Sequence, residues 1–186
     1  GVETIRLSAE GNKLSIADGD ANGLSLVLGG IGDDDIDASG RSAGDNGEGL
    51  IFDMGSGDDS ISGTQGKDTF RFAINELTGE DSIAAGQTGG DILEFTTNGT
   101  ISDSDLKLLN GSNIATLQLS SAGTNSVKFG EKSSGTFNSI LGGSANDDID
   151  LSGRTSDTSL YAGAGSDKIT LNNSTDDIIQ LSTQSG

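Results

Sequence analysis

The 186-residue chain contains no cysteine, no histidine and no proline. Without cysteine there are no disulfides, and nothing about redox compartment can be read from them. Without histidine the usual zinc and copper ligand is missing, and with it the commonest general base. The lack of proline suits long stacks of paired strands, which proline would interrupt. Aromatic residues make up 4% and hydrophobic residues 31% of the chain, too little for a broad globular core. No run approaches the roughly 18 apolar residues that a membrane-spanning helix requires. Basic residues are scarce as well: 10 Lys and Arg stand against 29 Asp and Glu, for a net charge of −19. Such acidity argues against nucleic acid and anionic membrane as partners, since both would be repelled. High charge with low hydrophobicity ordinarily signals disorder. The other outcome is a thin solenoid stabilised by bound cations, which would also neutralise the carboxylates. By length the chain is one or two domains. It opens on Gly1 with no signal peptide, so we expect a processed chain or part of a longer one.

What the chain does have is glycine and aspartate at fixed spacing. The stretch Gly29-Gly30-Ile31-Gly32-Asp33-Asp34-Asp35-Ile36-Asp37 fits the nine-residue pattern G-G-x-G-x-D-x-U-x, with U a large apolar residue, at every specified position. Its glycines permit a sharp turn with φ > 0. The sixth-position Asp faces back into that turn, and the eighth-position residue sits on a short strand pointing into a narrow core. A turn that gathers carbonyl oxygens and a carboxylate is a hard-cation site, with calcium the expected occupant. Further copies begin at Met54, Gly63, Glu76, Gly86, Gly142, Ala162 and Leu171. Asp and the apolar residue stay two apart in all eight copies, which a string of ordinary Gly/Asp hairpin turns would not maintain. Asp33, Asp35, Asp58 and Asp148 are expected to face solvent.

These nonapeptides resemble the calcium-binding repeats of RTX (hemolysin-type) proteins. The resemblance implies an all-β fold, a parallel β-solenoid or β-roll, with Ca2+ held between turns one full coil apart by the Asp of each and by backbone carbonyls. The implied metal-site residues are Gly29, Gly30, Gly32 and Asp34 in the first loop, then Gly55, Gly57 and Asp59, and then Gly66 and Asp68. Asp81 follows, with Gly89 and Asp91. Later come Gly142 and Asp147, then Gly163, Gly165 and Asp167, and lastly Asp176. The loops at Gly29, Met54 and Glu76 fall on one side of the coil, those at Gly63 and Gly86 on the other. Coils rise one strand spacing each, about 4.8 Å, so successive loops on one side can share a cation, and the resemblance implies the pairs Asp34 with Asp59, Asp59 with Asp81, Asp68 with Asp91, and Asp147 with Asp167. The opening segment VETIRLSAEG is also similar to the VETL-x-L/V strands recurring in bacterial S-layer proteins.

Residues 2–28 alternate apolar and polar in short bursts separated by Gly/Asn/Asp clusters, which reads as short strands and turns. A loop over 38–49 precedes a strand at Leu50-Ile51-Phe52. Residues 95–113 lack the pattern, and we read them as a connector. There Ser102 or Asp103 caps one helical turn through Ser104–Leu109. The chain then begins again: Val27-Leu28-Gly29-Gly30 recurs as Ile140-Leu141-Gly142-Gly143, and the Asp34–Arg41 stretch recurs as Asp147–Arg154, 113 residues on. The expected organisation is two tandem copies of a unit of roughly 112 residues, residues 1–113 complete and 114–186 incomplete. Phe70 and Phe72 are expected in the core, as are Phe52 and Tyr161 at corresponding places. Arg41 and Arg154, also at matched positions, are expected to be solvated or paired with carboxylates.

Three functions are open to such a chain. Duplication of a coil unit with no chemistry attached favours a calcium-binding structural solenoid of a secreted, self-assembling bacterial surface protein (an S-layer protein, adhesin or extracellular fibre). The alternative is an RTX secretion and folding module whose catalytic domain lies outside this chain. An enzyme in its own right, such as a solenoid polysaccharide lyase or epimerase, is disfavoured. Each carboxylate pair lies in a repeat turn, and no catalytic cleft residues converge with it. The expected partners are calcium ions and further copies or coils of a larger array, with cell-surface polysaccharide a third candidate. Nucleic acid and membrane insertion are not expected, and the expected location is extracellular, at the cell surface.

Overall fold

A computed structural model describes residues 3–19, 23–86, 90–106, 112–130, 137–173 and 176–181. The described residues are all-β and form a parallel β-solenoid, the fold that the nonapeptide resemblance implies. The strands of the first half are β1 (Thr4–Arg6), β2 (Lys13–Ala17), β3 (Leu26–Gly30), β4 (Asp35–Gly40), β5 (Glu48–Gly55), β6 (Ser60–Ser62), β7 (Lys67–Phe72) and β8 (Ser82–Ala84). Those of the second are β9 (Ile92–Phe95), β10 (Thr100–Ile101), β11 (Thr116–Gln118), β12 (Ser126–Lys128), β13 (Ser139–Leu141), β14 (Asp148–Asp150), β15 (Ser159–Tyr161), β16 (Lys168–Thr170) and β17 (Ile178–Gln180).

The odd-numbered strands stack in sequence order into one parallel sheet of nine, and the even-numbered ones form two sheets of four, β2–β8 and β10–β16. Each coil therefore contributes one strand to each face. Strands are short because glycine-rich turns end them, and parallel because every coil repeats the direction of the last. The long sheet crosses from the first sequence copy to the second through β9, β11 and β13 without a break. The facing sheet is interrupted between β8 and β10, where the Ala85 N–H donates to Ser112 O instead (2.9 Å).

Register puts one apolar side chain from every strand into a single row. On the long sheet Val27 lies beside Phe52, then Phe70, Leu93, Leu117, Ile140 and Leu160 follow coil by coil. Opposite them run Leu14, Ile36, Ile61 and Ile83, then Ile101, Val127, Ile149 and Ile169. Ile36, Ile61, Ile83, Phe70, Leu93, Ile149 and Ile169 are eighth-position residues of the nonapeptide, so the motif's apolar site is the core row itself. Each such side chain, when fully buried, contributes about 1.5–3 kcal/mol. Phe52 and Phe70 stack with centroids 5.3 Å apart and planes 8° from parallel. Phe72 is buried as expected.

Tyr161 departs from expectation. It is 49% exposed, and its neighbour Leu160 takes the inward place opposite Ile140. Period-two alternation allows only one of the two inside. Arg154 departs as well, being neither solvated nor simply paired with a carboxylate. It is 3% exposed, its guanidinium lying over Phe137 (4.4 Å to the centroid) and Phe129 (5.5 Å), and its Nη2 donates to Phe137 O (2.7 Å). In the connector, the Ser102 N–H and hydroxyl both donate to Asp105 Oδ2 (2.8 Å each), and Ser102 O accepts from Asp105 and Leu106. This closes a turn over 103–106 with Ser102 as its cap; the rest of the expected helical turn, 107–109, lies outside the described residues.

Candidate metal centre

The two turns of each coil build two edges. On the first edge, leading from a long-sheet strand to the facing strand, every sixth-position Asp accepts a hydrogen bond from the corresponding residue one coil earlier. The Asp34 N–H donates to Asp59 Oδ1 (2.9 Å) and the Asp59 N–H to Asp81 Oδ1 (2.9 Å). The Asp147 N–H likewise donates to Asp167 Oδ1 (2.9 Å). On the second edge the Asp68 N–H donates to Asp91 Oδ1 (2.7 Å). All four expected pairs are thus adjacent rungs, and the three within residues 29–94 lie on the expected sides. Asp33 and Asp58 are exposed, while Asp35 pairs with Lys13, and Asp148 with Lys168 at 2.8 Å.

Glycine makes the stacking possible by leaving room between coils. A Cβ on Gly55, whose φ is +82°, would run into Gly30 O, so both conformation and space require glycine there. Gly30 is needed for space: its Cβ would stand 2.6 Å from Ser8 O. Gly29, Gly32, Gly57, Gly66, Gly142, Gly163 and Gly165 press on the adjacent coil's backbone in the same way. Gly89 lies outside the described residues.

Three rungs were not anticipated. Asn12 heads the first stack, its N–H (2.8 Å) and Nδ2 (2.7 Å) both donating to Asp34 Oδ1. Asn125 heads the later one identically, on Asp147 Oδ1 at 2.8 and 2.9 Å. Each Asn stands two residues before a core-facing residue, Leu14 or Val127, and that spacing with Asn in place of Asp was the available signal. The third is Asp177, which accepts the Thr158 N–H (2.8 Å) in the place expected of Asp176. Asp176 is exposed, and so is Ile178 at 64%, because Ile179 pairs with Leu160. The glycine-free last copy therefore reads one residue later than its Asp-x-Ile spacing implied.

The second carboxylate oxygens separate these rungs. Asp81, Asp68 and Asp147 use both: Asp81 Oδ2 accepts the Thr78 N–H (2.6 Å), Asp68 Oδ2 the Thr64 N–H (2.6 Å), and Asp147 Oδ2 the Gly143 N–H (2.9 Å). Oδ2 of Asp34, of Asp59 and of Asp91 is buried with no hydrogen-bond donor. Asp34 and Asp59 are each only 1% exposed. Burial, reinforced by the charges of Asp81, Asp34 and Asp33, pushes the Asp59 carboxyl up to about 6. Burial, with the charge of Asp68 adding to it, pushes Asp91 up to about 6 as well.

A buried charged oxygen without a donor is costly, and carboxylate and carbonyl oxygens are what a hard cation takes. The Asp34–Asp59 step fits such an ion on that ground. Among the described residues no three acidic side chains converge on one point, so an ion here would draw on carboxylates two at a time, together with backbone carbonyls of the loops. The chain matches no family model, no curated protein and no solved structure.

Proposed function

We propose that the chain is a calcium-binding structural β-solenoid of the RTX kind, part of a secreted, self-assembling bacterial surface protein such as an S-layer protein or adhesin. The observation that carries this reading is the pair of stacked, buried carboxylates Asp34 and Asp59, each with one oxygen lacking a donor. Calcium between the loops 29–34 and 54–59 would supply the positive charge that the backbone donors do not, and fold and ion load would then be coupled. Asp34 and Asp59 would hold it, their Oδ1 atoms remaining on the backbone N–H groups that orient them.

Buried hydroxyls support a structural role, since they serve the chain itself. Thr64 Oγ1 donates to Asp68 Oδ1 (2.9 Å) and Ser120 Oγ to Thr96 O (3.1 Å). Association draws support from the last described coil, where Ile178 is 64% and Leu181 63% exposed beside the outer edge of β17. Another coil stacked there, of this chain or another, would cover them.

Circular dichroism in the far ultraviolet tests the reading. With a chelator the spectrum should be that of coil, and with calcium in the range of roughly 10⁻⁴–10⁻³ M, typical of extracellular modules, that of strand. A β spectrum unchanged by chelation would refute the coupling.

A further inference from the structure

The two walls of the solenoid differ in what they turn outward. On the two four-stranded sheets the outward places hold residues such as Lys13, Ser60, Ser126 and Asp148, with no Leu, Ile, Val, Phe or Tyr among them. On the nine-stranded sheet the outward places include Leu26, Leu28, Ile51, Ile92, Leu141 and Tyr161. None of these six belongs to the core, and Tyr161 is 49% exposed. Strands apolar on both sides belong to a parallel sheet covered on both faces, whereas a sheet with one solvated face alternates. An outward apolar face of this kind marks an interaction surface.

One outward row of that face is complementary to its own reverse. At its middle Arg71 and Glu94 are neighbours in register, Arg71 Nε donating to Glu94 Oε2 (2.7 Å). The next places on either side are Asp53 and Gln118, whose side chains have no hydrogen-bond or ion-pair partner among the described residues. These four line one open cleft. Beyond them come Leu28 on one side and Leu141 on the other, then Arg6 and Tyr161. Counted outward from the midpoint, a cation therefore matches an anion, an acceptor a donor, a leucine a leucine, and a second cation an aromatic ring.

We propose that this face docks a second copy of the chain, the two long sheets packing face to face about a two-fold axis that runs along the strands between β7 and β9. Arg71 then meets Glu94 of the second copy, and the Gln118 amide of the second copy donates to Asp53. Leu28 packs on Leu141 of the second copy, Arg6 lies over the ring of its Tyr161, and symmetry makes every pairing twice. Sheets packed face to face lie about 10 Å apart, within the combined reach of an Arg and a Glu side chain. Self-complementarity is what selects a second copy as the occupant. The contact is separate from stacking on β17 and uses none of the calcium ligands proposed above.

Light scattering of the calcium-loaded chain tests this by exchanging charges. The wild-type chain should be at least dimeric at high protein concentration. Arg71→Glu and Glu94→Arg should each halve that mass, because like charges then face one another across the axis. An equimolar mixture of the two variants should restore it, and so should the double variant. Tyr161, the chain's single tyrosine in the absence of tryptophan, gives a second measurement without any substitution. Its fluorescence should become less accessible to acrylamide as wild-type concentration rises. A monomeric wild-type chain, a dimer that survives Arg71→Glu, variants that stay monomeric when mixed, or quenching that ignores concentration would each overturn the assignment. A wild-type chain that dimerises in this way but binds no calcium would overturn the calcium reading alone.

Discussion

The first edge holds two stacks built to one plan, and they differ in what they leave open. Asn12–Asp34–Asp59–Asp81 and Asn125–Asp147–Asp167 share the same rung geometry, each Asp Oδ1 accepting an N–H from the coil before. In the earlier stack Asp34 Oδ2 lacks a donor, whereas its counterpart Asp147 Oδ2 takes the Gly143 N–H. The cause lies in strand length. β3 runs on through Gly30, which pairs with Gly55, while β13 stops at Leu141 and leaves Gly143 to turn toward the carboxylate. Two residues more or less of strand go with whether a loop satisfies its own aspartate or leaves it for an ion.

The sharpest way to break this contrast is to remove one charge from each stack. With calcium present, Asp59→Asn should cost roughly 1–3 kcal/mol and lower the ion count. In chelator the same change should stabilise the fold, because it removes a buried charge that has no partner. Asp147→Asn should cost roughly 1–3 kcal/mol with calcium present and restore nothing in chelator, since its amide NH2 would face an N–H donor. Exposed Asp58→Asn should stay within about 0.5 kcal/mol. Thermal melts in calcium give the costs, and far-ultraviolet circular dichroism in chelator shows whether Asp59→Asn recovers strand signal that the wild-type chain and Asp147→Asn lack; equal behaviour of Asp59→Asn and Asp147→Asn would erase the distinction.

Acidity sharpens it further. The Asp59 carboxyl is raised to about 6 in the fold from an ordinary 3.8, so the folded state holds its proton more tightly than the unfolded chain does. That contribution is fully present below 3.8 and is lost as pH rises through about 6. The chelated chain should therefore regain strand signal on acidification through this window, and Asp59→Asn should flatten the profile. A chelated chain that is no more structured at pH 4 than at pH 7 would contradict it.

The smallest difference concerns the leading asparagines. Asn125 is buried, its Nδ2 also donating to Ser120 O (2.9 Å) and Gly123 O (3.2 Å), while Asn12 heads its stack in a more exposed setting. Asn125→Ala should cost about 1–3 kcal/mol and Asn12→Ala about 0.5–1.5 kcal/mol, read as shifts in denaturation midpoint.

The coil, its core row and the pairing of Asp34, Asp59, Asp68, Asp81, Asp91, Asp147 and Asp167 could be read from the chain. Each depends on a spacing of two residues repeated many times. Tyr161 and Asp176 could not be placed, because a one-residue slip is invisible until the partner strand supplies the register. Arg154 was out of reach for another reason: its enclosure needs Phe129 and Phe137, which the coil brings to it from well outside its own motif. The free oxygens of Asp34 and Asp59 were equally hidden, since they depend on where a neighbouring strand stops.

The interruption between β8 and β10 has a mechanical meaning. Contacts in this stack run between consecutive coils, so its cohesion is a sum of nearest-neighbour interfaces. Among the described strands, both sheets bridge each step from β1 and β2 through β15 and β16 except this one, where the long sheet does so through β7 and β9 and the Ala85–Ser112 hydrogen bond spans the gap. The unbroken sheet acts as a spine and the divided one as a seam, making this the weakest joint in the column. Stress or partial melting would part the solenoid there first, leaving two cooperative blocks tethered by the ladder of the long sheet.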